Sequence, residues 1–402
     1  MDINLMVFAA PFYLILIATE YIVARYKKVS LYEFNDSINN FCSGILEEIG
    51  SLPFRGLLIY SYYYLYEHHA FFHFSASSVT SWILLWLCVD FCYYWYHRAS
   101  HRNNFFWIGH SVHHQSELYN LSVALRQGFF QTMTSWVFYL PLALLGFSTS
   151  MFLIVVLLNT VYQFWLHTPF INKMGWLEKI FNTPSHHRVH HGRNPQYIDK
   201  NYAGSLIIWD KLFGTFEPEI APAEYGVTEP LDSWNPFYAN IKVIKDVIYY
   251  GNGLKSKWTL LRAFFMPPEW IIHRLAKENS LVTKRNSTRN NSDTPKIYIL
   301  INLMFLLSLY TWLSFIFTFN SPISWLLGLL ILVTLYVLGR IANGNNKIQF
   351  FEITRTFLVI GIINILFNNL LLAFGAGVLF YLSNYFLFIH NSLNNATYYV
   401  EN

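Results

Sequence analysis

Trp82-Ile-Leu-Leu-Trp-Leu-Cys-Val-Asp90-Phe-Cys-Tyr-Tyr-Trp-Tyr-His97-Arg-Ala-Ser-His101 is the stretch on which the reading of this chain turns. An apolar run passes directly into two histidines four residues apart. In a bilayer such a run is helical, because each backbone N–H and C=O must find its partner within the segment. Extending that helix by one turn puts His97 and His101 on one face, where the helix leaves the apolar phase.

Two more groups follow, His110-x2-His113-His114 and His187-x2-His190-His191, so eight of the 15 histidines fall in spaced clusters between 97 and 191. At helical spacing each group presents two or three imidazoles in one direction. Neutral imidazole suits iron, zinc and copper, and eight such side chains suffice for two metal ions with positions left for oxygen or substrate. His167 closes Phe164-Trp165-Leu166-His167 at the base of another apolar run and is a ninth candidate. His186 directly precedes the third group and, if helical, points about 100° away from His187. Asp90 lies on the face of His97. An acid at that depth is costly and marks function, so it is expected to orient a ligand imidazole through the ring's other nitrogen or to pair with a polar neighbour.

Composition places the chain in a membrane: 54% of residues are hydrophobic, 19% aromatic and only 12% charged, against about 25% charged in soluble domains. Runs able to span about 30 Å of hydrocarbon fall near 4–24, 52–68, 79–97, 129–147, 149–167, 297–319, 323–342, 355–374 and 376–391. The fold expected is therefore an all-α integral membrane protein with about nine transmembrane helices and a cytoplasmic, histidine-rich cap holding a dinuclear metal site. The first run lacks the basic lead and small-residue site of a cleavable signal. With the N-terminus outside, the 27 lysines and arginines fall on or beside the loops 25–51, 98–128, 168–296 and 343–354, which are then cytoplasmic. The net charge of +4 follows from this topology and from contact with anionic headgroups; no feature points to nucleic acid. Cys42, Cys88 and Cys92 offer no disulfide framework.

Four regions follow. Residues 1–78 hold N-terminal spans and an amphipathic helix near 31–49; 79–217 carry the histidines; 218–296 form a surface segment, with amphipathic pieces near 236–250 and 258–276 and a flexible linker at 279–295; and 297–402 form four membrane helices. From these residues alone a metal transporter or sensor stays open, although transporters place ligands near the bilayer midplane and these lie at span ends.

The ladder HX3H, HX2HH, HX2HH resembles the fatty acid hydroxylase/sterol desaturase superfamily of membrane di-iron enzymes. Its surroundings are similar to the alkylglycerol monooxygenase branch: Asp90-Phe-Cys-Tyr-Tyr-Trp-Tyr-His97-Arg98, Tyr119-Asn120-Leu-Ser-Val-Ala-Leu-Arg126-Gln127, Tyr162-Gln-Phe-Trp-Leu-His167, Asn182-Thr-Pro-Ser-His186-His187-Arg-Val-His190-His191, and Asp199-Lys-Asn201 through Trp209-Asp210 to Phe216. The resemblance is dense over 80–217. It implies an O2-dependent lipid monooxygenase with two iron ions, for which zinc can substitute in preparations. The implied ligands are His97, His101, His110, His113, His114, His187, His190 and His191. The electron donor would be tetrahydrobiopterin or a redox protein, and the substrate a membrane ether lipid. Hydroxylation next to the ether oxygen gives a hemiacetal that collapses to a fatty aldehyde and a glycerol derivative. Tyr119, Asn120, Arg126, Asn201 and Asp210 sit in the matching motifs and would contact ligand rings, pterin or headgroup, or cap the loops. Where the family's first box continues with a glutamate, this chain has Arg102. A sterol or fatty-acyl hydroxylase or desaturase shares the ladder with a different donor. The implied location is the inner membrane of a bacterium or the endoplasmic reticulum of a eukaryote, catalytic face to the cytoplasm.

Overall fold

The computed structural model describes the backbone of residues 5–251, 256–277, 295–318, 320–345 and 347–398. These residues form helices and turns. Among them there is no β-strand, only isolated bridges pairing Phe181 with Leu206 and Gly192 with Tyr225. The helices run α1 (Leu5–Tyr26), α2 (Phe34–His69), α3 (Val79–Arg102), α4 (Asn104–His114), α5 (Gln131–Ser135), α6 (Leu140–Leu145), α7 (Thr149–Phe164), α8 (Pro184–His191), α9 (Ile208–Leu212), α10 (Pro236–Gly251), α11 (Lys257–Ala263), α12 (Trp270–Lys277), α13 (Lys296–Ile316), α14 (Pro322–Ala342), α15 (Gln349–Phe367) and α16 (Leu370–Tyr398). They gather into two compact units, one of Ala9–Leu231 with Ala239–Asn286, the other of Met1–Phe8, Asp232–Tyr238 and Ser287–Asn402.

In the first unit α3 packs against α4 and α7, and α2 against α6 and the turn at Leu121–Leu125. Tyr62, Leu85, Val89, Leu142, Phe147, Met151 and Val155 form the buried contact. Gly146 ends α6 at φ +105°, and a Cβ there would stand 1.7 Å from the Phe72 carbonyl oxygen, so only glycine fits. A second cluster joins Ile108 of α4 to Val243, Val247 and Tyr250 of α10, Ala263 of α11 and Ile271 of α12.

In the second unit α13, α14, α15 and α16 pack in sequence, with α16 returning to α13. Their interior holds a polar chain. Tyr298 donates to Glu352 at 2.6 Å, Arg355 donates to Glu352 at 2.7 Å and also to Asn302, and Asn302 donates to Asn384 at 2.9 Å.

Four described helices are long and apolar enough to cross a membrane: Lys296–Ile316, Pro322–Ala342, Gln349–Phe367 and Leu370–Ile389. The last boundary lies earlier than hydropathy suggests, because the chain reverses at Asn368 (φ 47°) and not near Gly375; asparagine tolerates the left-handed conformation such a turn needs. The expected single span at 129–147 is corrected. It is three short pieces, α5, a 3-10 turn and α6, and Pro141 at the start of α6 has no N–H with which to continue a helix from α5. The amphipathic segment near 31–49 and the run 52–68 are one 36-residue helix, α2, with Pro53 inside it. The 258–276 piece divides into α11 and α12 around Pro267-Pro268. The linker expected at 279–295 lies almost wholly outside the described residues.

Candidate metal centre

Nine histidines meet in the first unit. His97, His101, His110, His114 and His190 form one group and His113, His167, His187 and His191 another, the ligand atoms within each lying no more than 4.8 Å apart. All are buried except His101, which is half-buried. Each sequence cluster turns two imidazoles to one group, as expected, while the third ring of two clusters, His113 and His190, serves the other group. Neighbours such as His113 and His114 diverge by about 100° on a helix. His110 and His114 therefore face one group while His113 faces the other, and His190 separates from His187 and His191 in the same way.

Ring contacts define the geometry. The Nε2 of His110 lies 2.8 Å from that of His97 and 3.1 Å from that of His114, whose Nε2 is 3.1 Å from that of His190. In the second group the Nε2 atoms of His113 and His167 are 3.1 Å apart, those of His167 and His187 3.0 Å, and those of His187 and His191 3.2 Å. Imidazole nitrogens bound about 2.1 Å from one metal ion stand roughly 3.0–3.4 Å from each other.

The outer nitrogens decide what these contacts are. The Nδ1–H of His97 donates to the Tyr202 carbonyl at 2.7 Å, that of His113 to Arg126 at 3.0 Å, that of His167 to Gln163 at 3.0 Å and that of His190 to Lys200 at 3.1 Å. A carbonyl only accepts, so the proton sits on Nδ1 and each Nε2 presents a bare lone pair. For His113 and His167 both facing nitrogens are then acceptors and no hydrogen bond joins them. A cation between them removes the repulsion, and the donor set fits a metal of the iron or zinc type. Burial, with crowding by neighbouring imidazoles, holds His101, His110, His114, His187 and His191 well below the ordinary histidine range; burial takes His113 down to about 4 and His190 to about 3. The rings are therefore neutral and ready to ligate at neutral pH.

The loop after α8 supplies two of those carbonyls and is held from several sides. Asp210 accepts from the amides of Tyr202 and Ala203, each at 2.8 Å, and from the Thr215 hydroxyl at 2.6 Å. Asn201, in the left-handed region at φ 55°, donates to the carbonyls of His186 at 3.1 Å and Glu217 at 2.8 Å. Asp90, fully buried, accepts from the Ser205 amide and hydroxyl at 2.6 and 2.8 Å, the Leu206 amide at 3.0 Å and the Trp209 indole at 3.0 Å. The expectation that Asp90 orients a ligand ring directly is thus corrected: its bonds go to the loop, and the loop's Tyr202 carbonyl holds His97. Gly204 permits this approach, since a Cβ there would come within 2.7 Å of the Asp90 carboxylate.

Arg126, 1% exposed, donates to Val112 at 2.7 Å, Asn40 at 3.1 Å and Gln115 at 3.2 Å, tying its loop to α4 while its carbonyl receives His113. Asn120 caps the following turn, accepting from the Ser122 amide at 3.0 Å and donating to Leu31 at 2.7 Å. The Tyr119 ring lies beside His167 and His191 and its hydroxyl donates to Leu166 at 3.0 Å. Among the described residues His186 joins neither metal group and its buried Nδ1 meets no hydrogen-bond partner; its ring meets Phe216 edge-on. Arg102, at the end of α3, pairs with Asp199 and lies 3.6 Å from Glu269.

Sequence reasoning missed the strap at 217–225. Glu219 takes a two-pronged bond from Arg188, both at 2.7 Å, and Tyr197 anchors residues 220 and 221. Tyr225 stacks on Tyr119 with centroids 4.7 Å apart. The signal lay in Arg188, a cation inside the third histidine cluster that burial obliges to find an acid.

Nine imidazoles in two groups, eight on helices and His167 in the turn after α7, define a candidate metal centre of the fatty acid hydroxylase type, and the fatty acid hydroxylase family model matches residues 82–215. Alkylglycerol monooxygenase of Homo sapiens is 40% identical over 312 residues, 75% of this chain and 69% of that protein. The Xenopus tropicalis enzyme is 42% identical over 265 residues, 65% of this chain and 58% of its own length. The chain belongs to the alkylglycerol monooxygenase family and is a membrane protein. The matches cover 58–69% of the length of the first curated relatives. The ornithine lipid hydroxylase OlsE of Rhizobium tropici is 29% identical over 167 residues, 40% of this chain and 50% of that protein. No solved structure matches the chain.

Proposed function

We propose that this chain is an O2-dependent monooxygenase of ether lipids, hydroxylating the carbon next to the ether oxygen of an alkylglycerol so that the product separates into a fatty aldehyde and a glycerol derivative. The observation that carries the reading is the His113–His167 contact, two acceptor nitrogens 3.1 Å apart that only a cation reconciles, within a family whose curated members are alkylglycerol monooxygenases. Two iron ions, one in each histidine group, supply oxygen activation when bound. His97, His101, His110, His114 and His190 would hold one, and His113, His167, His187 and His191 the other.

The chain's own residues perform the rest. Backbone carbonyls of Tyr202, Arg126, Gln163 and Lys200 fix ring orientation and tautomer, which keeps the nitrogens in place as metal charge changes. Asp90, Asp210 and Asn201 hold the loop that offers two of these carbonyls. Tyr119 and Tyr225 cover the four-histidine side and exclude water. His101 is the least buried ligand, and substrate and a reduced pterin or redox protein would approach from its side. The catalytic region is 79–217 with the strap to Tyr225; residues 1–78 carry N-terminal spans, 226–296 a surface segment and linker, and 297–402 a separate four-helix membrane unit. The one-sided spread of the 27 basic residues supports a cytoplasmic catalytic face.

The test is direct. Purified full-length protein with iron, O2 and tetrahydrobiopterin is given a 1-O-alkylglycerol, and fatty aldehyde is measured; a sterol, a fatty acyl lipid and ornithine lipid run in parallel. Aldehyde release from the ether lipid is expected. Stable hydroxylation of another lipid with none from the ether lipid would replace this reading with that of the sister hydroxylases.

A further inference from the structure

We infer that Glu20, on the first helix, is a positioning residue for the four-histidine metal group; the inference rests on the dinuclear reading above. Glu20 is the one acid within the apolar helix α1 and is 5% exposed. Its carboxylate collects three neutral donors. One oxygen accepts from the Tyr32 hydroxyl and from the Leu121 amide at 2.8 Å, and the other accepts from the Thr168 hydroxyl. Leu121 opens the turn after which Arg126 offers its carbonyl to His113. Thr168 directly follows His167. One side chain therefore fastens the backbone on both sides of the His113–His167 contact, from a helix that contributes no ligand. Stacking of Tyr13 on Phe164, with centroids 4.0 Å apart, locks the same helix to the last residue of α7, three residues before His167. Arg188 holds Thr168 from the opposite side through its carbonyl, at 3.1 Å.

Hydrogen bonds, not charge, are the means, and this fixes what substitutions do. In Glu20→Gln one oxygen still receives Tyr32 and Leu121, while the new amide faces the Thr168 hydroxyl, which accepts as readily as it donates. Glu20→Ala removes all three bonds. Groups that orient ligands typically contribute about 10–100-fold in metal affinity.

The experiment loads full-length, detergent-purified protein with cobalt(II) and reads stoichiometry and visible absorption, with His167→Ala marking loss of the four-histidine group. Wild type and Glu20→Gln are expected to bind two ions with the same spectrum. Glu20→Ala is expected to bind the second ion at least about tenfold more weakly, losing the absorption that His167→Ala loses. Should Glu20→Ala not yield folded protein, Thr168→Val decides, with a weaker second ion expected. The inference is overturned if Glu20→Ala, or in its place Thr168→Val, binds two ions as wild type does, or if Glu20→Gln fails as Glu20→Ala does. A wild type that binds fewer than two ions overturns the dinuclear reading instead.

Discussion

The Nε2 atoms of His113 and His167 face each other at 3.1 Å while both rings spend their only proton on a backbone carbonyl, His113 on Arg126 and His167 on Gln163. Two lone pairs at that distance repel in a buried site, so the fold holds these rings in a geometry that is favourable only around a cation. The cost of assembling it is met by the surrounding loops, and metal binding then returns stability to the fold.

Removing either ring should therefore empty one group and spare the other. His113→Ala and His167→Ala are each expected to lower bound iron from about two to about one ion per chain and to abolish turnover. His97→Ala should do the same through the five-histidine group. Elemental analysis of the purified variants checks this. Retention of two ions by His167→Ala would remove it from the ligand set.

Arg102 should behave differently. It pairs with Asp199 and approaches Glu269 on a partly exposed surface, where such pairs contribute at most about 1 kcal/mol. Arg102→Ala is expected to keep both metals and fold normally while altering the KM for lipid or donor. Arg102→Glu, which places there the glutamate that the family resemblance implies, faces Asp199 and Glu269 and should keep metals with a larger change in activity. Metal loss in Arg102→Ala matching that of His101→Ala would contradict this.

Asp90 should matter through the loop it holds. Asp90→Ala leaves the Ser205 and Leu206 amides and the Trp209 indole without their acceptor in a buried site. A loss of at least about 2 kcal/mol follows, read as a lower midpoint of unfolding. The five-histidine group, whose His97 depends on the Tyr202 carbonyl, should lose metal affinity before the other group does.

Acid should destabilise the metal-free protein. Burial holds His113 near 4 and His190 near 3 when folded, and the other rings outside the membrane spans also lie well below their ordinary value of 6.5. Below pH 6.5 the unfolded chain binds protons that the folded chain refuses, so stability present above that pH is lost as pH falls toward 4. Thermal unfolding of chelator-treated protein should show a midpoint that drops between pH 7 and pH 5. Metal-loaded protein should resist the fall until protons displace the metal. A flat profile for the metal-free protein would count against buried, neutral ligands.

Much of the site was legible in the chain itself. Histidines at helical spacing beside an apolar run announce ligands, because few other demands place eight imidazoles so near one another, and His167 was readable from its place at the end of a span. The long helices α13 and α14 followed from hydropathy, since a bilayer leaves an apolar segment little choice but to satisfy its backbone internally. Tertiary structure decided how the ligands divide. Spacing along one helix says which rings share its face, but the metal groups are closed by rings from α3, α4, α8 and the turn after α7 together. The same holds for Asp90 and Asp210, whose work is to hold backbone 115 and 8 residues away, and for Glu219, which answers Arg188 from 31 residues away. Burial forces each such polar group to find a partner, but only the packed fold determines which partner stands within reach.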